Sequence, residues 1–158
     1  MKSLFTFLSV LLVTSLMAQE PTFKKFYKAH SAQSAFSINL SASFAGSFLS
    51  EDDQDDIGKL LKNSDDFKLM IFKNEDGQID KDFKKYIKKN KLKTMARVKS
   101  DNNRAAFYIL EKNDIVKEIV FRANSDSDQL VLFGMETNLT TDELAEMLSN
   151  SNINVTKG

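Results

Sequence analysis

Between Met95 and Met135 four apolar-patterned runs follow one another, separated only by short polar stretches. The runs are Met95–Lys99, Ala105–Glu111, Ile115–Phe121 and Gln129–Met135. Asp101-Asn102-Asn103, Lys112-Asn113-Asp114 and Asn124-Ser125-Asp126-Ser127-Asp128 lie between them. Asn, Asp and Ser close tight turns because their short side chains bond nearby backbone. Strands joined by such short turns run antiparallel. The carboxyl-terminal half is therefore expected to be a meander. Thr140-Thr141-Asp142-Glu143 follows as a capping box, with Thr140 as N-cap and Glu143 at N3. Leu144, Met147 and Leu148 supply the buried side of the final helix.

The amino-terminal half mixes the two periodicities. Phe23, Phe26, Tyr27 and His30 recur at helical spacing, with Lys24, Lys25 and Lys28 on the wet side. Phe36, Ile38 and Leu40 alternate with Ser37 and Asn39 as a strand does. Phe36, Leu40, Phe44 and Phe48 also lie four apart, so the expectation is a strand to Leu40 and a helix over Ser41 to Leu49. Ser50 caps a further helix with Glu51, Asp52 and Asp53 in its first turn, ended by Asn63-Ser64-Asp65. Phe67–Phe72 is an interior strand, and Asn74-Glu75-Asp76-Gly77 turns the chain. Ile79, Phe83, Tyr86 and Ile87 then mark a helix.

The expected fold is α+β. A largely antiparallel sheet of about five to six strands carries helices on one face, and a C-terminal three- to four-strand meander precedes a final helix. Met1-Lys2-Ser3, the apolar run Leu4–Val13 and Ala18 give the charged start, apolar core and cleavage residue of a secretory signal. The apolar run falls short of the ~20 residues that cross a bilayer. Residues 1–18 thus read as a signal peptide, 19–149 as a single α+β domain and 150–158 as a frayed tail. The expected location is outside the cytoplasm, periplasmic or secreted.

Composition excludes whole chemistries. There is no Cys, which removes disulfides, thiol catalysis, zinc ribbons, iron–sulfur clusters and a lipid anchor on Cys. One His cannot form a multi-His metal site. Lys plus Arg equals Asp plus Glu at 22 each, so no net charge favours nucleic acid. Thirteen Phe give ample core material. No cofactor is expected, nor any membrane-spanning segment once the signal is removed.

Few constellations suggest chemistry. Asn74 to Ile79 looks like the middle of a calcium loop, but Phe72 and Phe83 fall where the first ligand and the bidentate Glu belong. It reads as a turn capping a helix. The acids at 51–56 read as a solvated first turn, and the Phe stripe from Phe36 to Phe48 reads as core. His30 has no second His or nucleophile to work with. Without a recognisable catalytic constellation, the expectation is a non-enzyme. Lys81 to Lys99 carries nine basic residues against Asp80 and Asp82. A solvated helix face explains them in the ordinary way. The functional alternative is a partner-binding basic face of Lys81, Lys84, Lys85, Lys88, Lys89, Lys91 and Lys93.

Three stretches together resemble a known family. They are Phe23-Lys24-Lys25-Phe26-Tyr27 before Phe36–Leu40, Leu60-Leu61-Lys62-Asn63 running into Phe67–Phe72, and the meander ending in Leu130–Met135 before the capped helix. The family is called domain of unknown function 4252 and occurs in exported envelope proteins of Gram-negative bacteria. The resemblance implies export, a small α+β domain and, through gene context, a tie to envelope signalling. It brings no assigned activity and no functional residues. The expected function is a non-enzymatic module that binds an unknown protein or envelope partner. The alternatives are an enzyme of unknown reaction using carboxylates, or a structural or chaperone-like envelope protein.

Overall fold

The computed structural model describes residues 21–41, 60, 63–100, 103–124 and 129–150. The signal peptide, residues 42–49 of the helix expected after β1, the acids at 51–56 and the tail beyond Asn150 lie outside the described residues. Helix α1 (Thr22–His30) and one 3-10 turn (Ser31–Gln33) lead into β1 (Phe36–Leu40). Then come β2 (Ser64–Lys73), α2 (Gln78–Lys89), β3 (Lys93–Ser100), β4 (Asn103–Lys112), β5 (Ile115–Asn124), β6 (Gln129–Thr140) and α3 (Thr141–Asn150).

The six strands form one antiparallel sheet in the order β1-β2-β6-β5-β4-β3. The expected α+β class, the meander and the final helix are all present. The meander's middle turn is built from Asn113 and Asp114, with φ of 55° and 60°. Both central residues need positive φ in a turn that follows strand twist, and Asn and Asp tolerate it. Thr140 caps α3 as expected: the Glu143 N–H donates to Thr140 Oγ1 at 3.2 Å, and the Thr140 N–H donates to Glu143 Oε2 at 2.7 Å. The turn before α2 also caps its helix, since the Gln78 N–H donates to Asp76 Oδ1 at 2.9 Å.

Successive strand residues face opposite ways, so the sheet has two cores. One holds Met70 and Phe72 of β2, Val120 of β5, and Leu130 and Leu132 of β6, under Phe23 and Phe26 of α1 and Ile79, Phe83 and Tyr86 of α2. The other holds Phe67, Ile109, Ile119 and Met135 with Leu144 of α3 and the half-buried Leu60. The expectation of helices on one face thus holds for α1 and α2, while α3 lies against the other. The cause is local: β6 runs into α3 with no loop, and the Thr141 N–H donates to the Asp114 carbonyl at 3.4 Å.

Two further expectations are corrected. Ser64 and Asp65 are more than a helix stop: they open β2, which is bulged between Asp65 and Lys68 with Asp66 at φ 54°. The bulge breaks the alternation that would have revealed the longer strand. Phe36 is not core: it is 50% exposed, because β1 is an edge strand.

Helix α1 is seated by a close approach. A Cβ built on Gly134 in β6 would collide with the Phe23 ring. Phe23 is 3% exposed and fills that space. Gly134→Ala is therefore expected to lower stability by about 1–3 kcal/mol, the usual cost of overpacking. Urea unfolding of the variant checks this, and an unchanged midpoint would contradict the seating.

Candidate functional site

Among the charged residues on strand positions that alternation assigns to the α1–α2 core are Lys68, Glu118 and Glu136. Lys68 shares a face with Met70 and Phe72, Glu118 with Val120, and Glu136 with Leu132 and Gly134. Lys68 is 2% exposed and Glu118 3%. Burying charge is costly unless partners replace the lost water.

Glu118 finds its partners at the start of α1. The Thr22 N–H donates to Oε1 at 2.6 Å, and the Phe23 N–H donates to Oε2 at 2.8 Å. The Thr22 hydroxyl donates to Oε2 at 3.0 Å and lies 3.0 Å from the Tyr86 hydroxyl. The cap position of α1 is Pro21, which provides no side-chain acceptor. A carboxylate from a distant strand supplies it instead, at the end of the helix where the dipole favours negative charge. Burial, then the charge of Glu118, pushes the Tyr86 hydroxyl far above its ordinary range.

Lys68 and Glu136 meet at the β2 bulge. Asp66 Oδ2 lies 3.2 Å from Lys68 Nζ and 3.0 Å from Lys24 Nζ of α1. Burial pushes the Asp66 carboxyl up, but the Lys24 and Lys68 ammonium groups overcome this and hold it below its usual value. Glu136 responds the opposite way. Burial, with the neighbouring Asp66 carboxylate, pushes it up to about 7. Its Oε1 is buried with no hydrogen-bond partner among the described residues.

Beside this network opens a cleft of about 940 Å³ between the start of α1, the end of α2 and the β4–β5 hairpin. Glu118 and Glu136 stand in its wall, and Lys89, Lys91, Lys112 and Lys117 line it. All four lysines are exposed, and none has an ion-pair partner among the described residues. Lys117 donates to Asn138 Oδ1 at 2.7 Å. Of the carboxylates that line it, Glu111 pairs with Lys93 at 3.0 Å, Glu118 keeps its charge while bonded to the start of α1, and burial keeps Glu136 protonated up to about 7. Among the described residues the lysines of the cleft therefore outnumber the carboxylates that offset them.

The expected basic face divides between two places. Lys89 and Lys91 enter the cleft. Lys84 is neutralised by Asp80 at 2.7 Å and Lys85 by Asp82 at 3.0 Å, both within α2. Lys81 and Lys88 are exposed on the same helix, and Lys93 is the residue that pairs with Glu111. Asp80 has a second partner, since Arg122 Nε of β5 donates to it at 2.9 Å and so fixes α2 to the sheet. Burial raises Asp80, but Lys84 and Arg122 outweigh it and hold the carboxyl low. Sequence reasoning missed Lys112, Lys117 and the Asp66–Lys68–Glu136 network. The signal present was a charge on a buried strand row, as with Glu118 beside Val120.

Folding favours the protonated form of Glu136. Its contribution is full below the ordinary carboxyl value and is lost as pH rises through about 7. Glu136→Gln is therefore expected to flatten the fall in stability between about pH 5 and pH 8 and to be more stable than wild type at the upper end. Urea unfolding across that range checks this. Parallel profiles for the two proteins would contradict it.

Among the described residues no helix is long and apolar enough to cross a membrane. No curated protein and no solved structure matches the chain. One family does match, over residues 27–147, a span that takes in all six strands and most of the helical layer. The chain belongs to the family described as Domain of unknown function (DUF4252).

Proposed function

We propose that this protein is a non-enzymatic binding module, exported to the periplasm or beyond, that takes an acidic segment of a protein partner into the lysine-lined cleft. The observation that carries this reading is the gathering of Lys89, Lys91, Lys112 and Lys117 from two elements onto one cleft, with no ion-pair partner for any of them among the described residues. Solvated lysines on one helix would not converge with lysines of a separate hairpin. Such a surface steers an anionic partner and fixes its register. Neutralisation of Glu136 below about pH 7 adds to the positive potential, so binding strengthens as the medium becomes mildly acidic. The export assignment rests on the signal-like start of the chain and on the family resemblance. A role in envelope signalling is the finer form of the same reading.

A second reading draws on Glu136 itself. A carboxyl held near 7 beside a second carboxyl held low, in the wall of a cleft, is an arrangement that serves acid–base chemistry. An enzyme of this kind would show turnover that Glu136→Gln abolishes, whereas a binding module keeps its affinity in that variant at low pH.

The test is titration of the protein with a polyglutamate peptide, followed by amide NMR shifts. The expected shifts cluster at Lys89 to Lys91 and Lys112 to Lys117. Replacing Lys89, Lys91, Lys112 and Lys117 with Glu should weaken binding about tenfold or more, equivalent to ~1.4 kcal/mol. Raising salt from about 0.05 M to about 0.3 M should weaken it in wild type, because screening shortens the reach of exposed charge. Shifts scattered over the surface, or equal binding by both proteins, would overturn the reading. Preferential binding to phosphatidylglycerol vesicles, lost in the same variant, would replace the protein partner with a lipid surface.

A further inference from the structure

The two edges of the sheet are built differently. β3 forms one edge and is guarded against pairing. Lys93, Arg97 and Lys99 are exposed along it, and its register with β4 is broken between Thr94 and Ala96. Edge lysines and bulges are how antiparallel sheets avoid adding strands. β1 forms the other edge and has none of these devices. Phe36-Ser37-Ile38-Asn39-Leu40 contains no charge and no proline. Its register with β2 is unbroken from Phe36 opposite Ile71 to Leu40 opposite Phe67. Among the described residues nothing pairs with its outer side.

The strand is also self-complementary. Its pattern is apolar, polar, apolar, polar, apolar, symmetric about Ile38. An antiparallel pair made across a two-fold axis at Ile38 sets Phe36 opposite Leu40 of a second copy, and Ser37 opposite Asn39 of that copy. Each polar residue then meets a polar one and each apolar residue an apolar one, as an isologous interface requires. The pairing also covers Phe36, which is 50% exposed and is the most exposed of the large hydrophobic residues described. Leu40, packed against the second core, anchors the far end of the strand. We propose that two copies of this chain associate through antiparallel β1 strands, joining their six-stranded sheets into one continuous sheet. The cleft lysines lie at the end of α2 and on the β4–β5 hairpin, away from this edge, so the association leaves the cleft open.

Two charge variants of the full chain test the register. Ser37 and Asn39 are both exposed, so substitution there spares the core. Sedimentation equilibrium at micromolar protein is expected to give a dimer for wild type. S37K/N39K sets lysine against lysine at both cross-strand positions and should weaken the dimer about tenfold or more, because like charges opposite one another destabilise a strand pair. S37K/N39E sets lysine against glutamate at both positions and should restore it. Unchanged far-ultraviolet circular dichroism keeps misfolding out of the comparison. A wild-type monomer, two variants that dimerise alike, or a charge-matched variant as weak as the lysine pair would each overturn the proposal.

Discussion

The carboxylate of Glu118 is buried in the sheet, and what it bonds to is the beginning of a helix. It accepts the amides of Thr22 and Phe23 and the Thr22 hydroxyl. Hydrogen bonds to a charged group contribute about 1.5–3 kcal/mol each, and leaving that group unpaired costs more. The position of α1 is thereby fixed relative to β5. Phe23 is next in the chain, and its ring lies on Gly134 of β6. Phe26 follows on the same helix face and meets Phe83 and Tyr86 of α2, with ring centroids 5.8 and 5.1 Å apart. From one acceptor on β5 the contacts run through α1 to α2 and so assemble the helical layer.

The same anchoring makes the cleft. With α1 held at its start and α2 held by Asp80 and Arg122, the end of α2 stands beside the β4–β5 hairpin. Lys89 is the last residue of α2 and Lys91 lies in the turn after it, while Lys112 and Lys117 belong to the hairpin. The acids of this region are spent on structure: Glu118 on α1, Glu111 on Lys93, Asp66 on Lys24 and Lys68. Although the whole chain has equal numbers of acidic and basic residues, lysines are in excess at this cleft among the described residues. Glu136 is the exception, a carboxyl with a buried oxygen, unpartnered among the described residues, and a proton held to about pH 7. It gives the cleft a charge that depends on the acidity of its surroundings.

Most of the sheet was legible in the sequence because its rows are consistent. The runs after Met95, the turn at Asn113-Asp114 and the capping box at Thr140 each obey one local rule, and the structure follows them. Misreadings occur where two rules compete. Ser64 and Asp65 are turn residues by composition, yet pairing with β6 draws them into β2. Phe36 is core by hydrophobicity, yet edge position leaves it exposed. The lysine run on α2 was visible, but its partition was not, since Asp80 and Asp82 neutralise part of it through helical spacing while the remainder joins a hairpin distant in sequence. Glu118 was the most informative residue passed over. A glutamate between Lys117 and Ile119, on the row of Val120, needs a partner from elsewhere in the fold, and no local rule names α1 as that partner.

If one strand carboxylate pins the helical layer, amide hydrogen exchange of Phe23 will report it. Phe23 is the second residue of α1, where helix ends normally fray and exchange quickly. If Glu118 holds its N–H, exchange will be as slow as for the buried amides of β5 and β6, and in Glu118→Gln it will quicken while those sheet amides keep their order of protection. Fast exchange of Phe23 in wild type, at the rate of an exposed helix end, would mean that Glu118 does not hold α1.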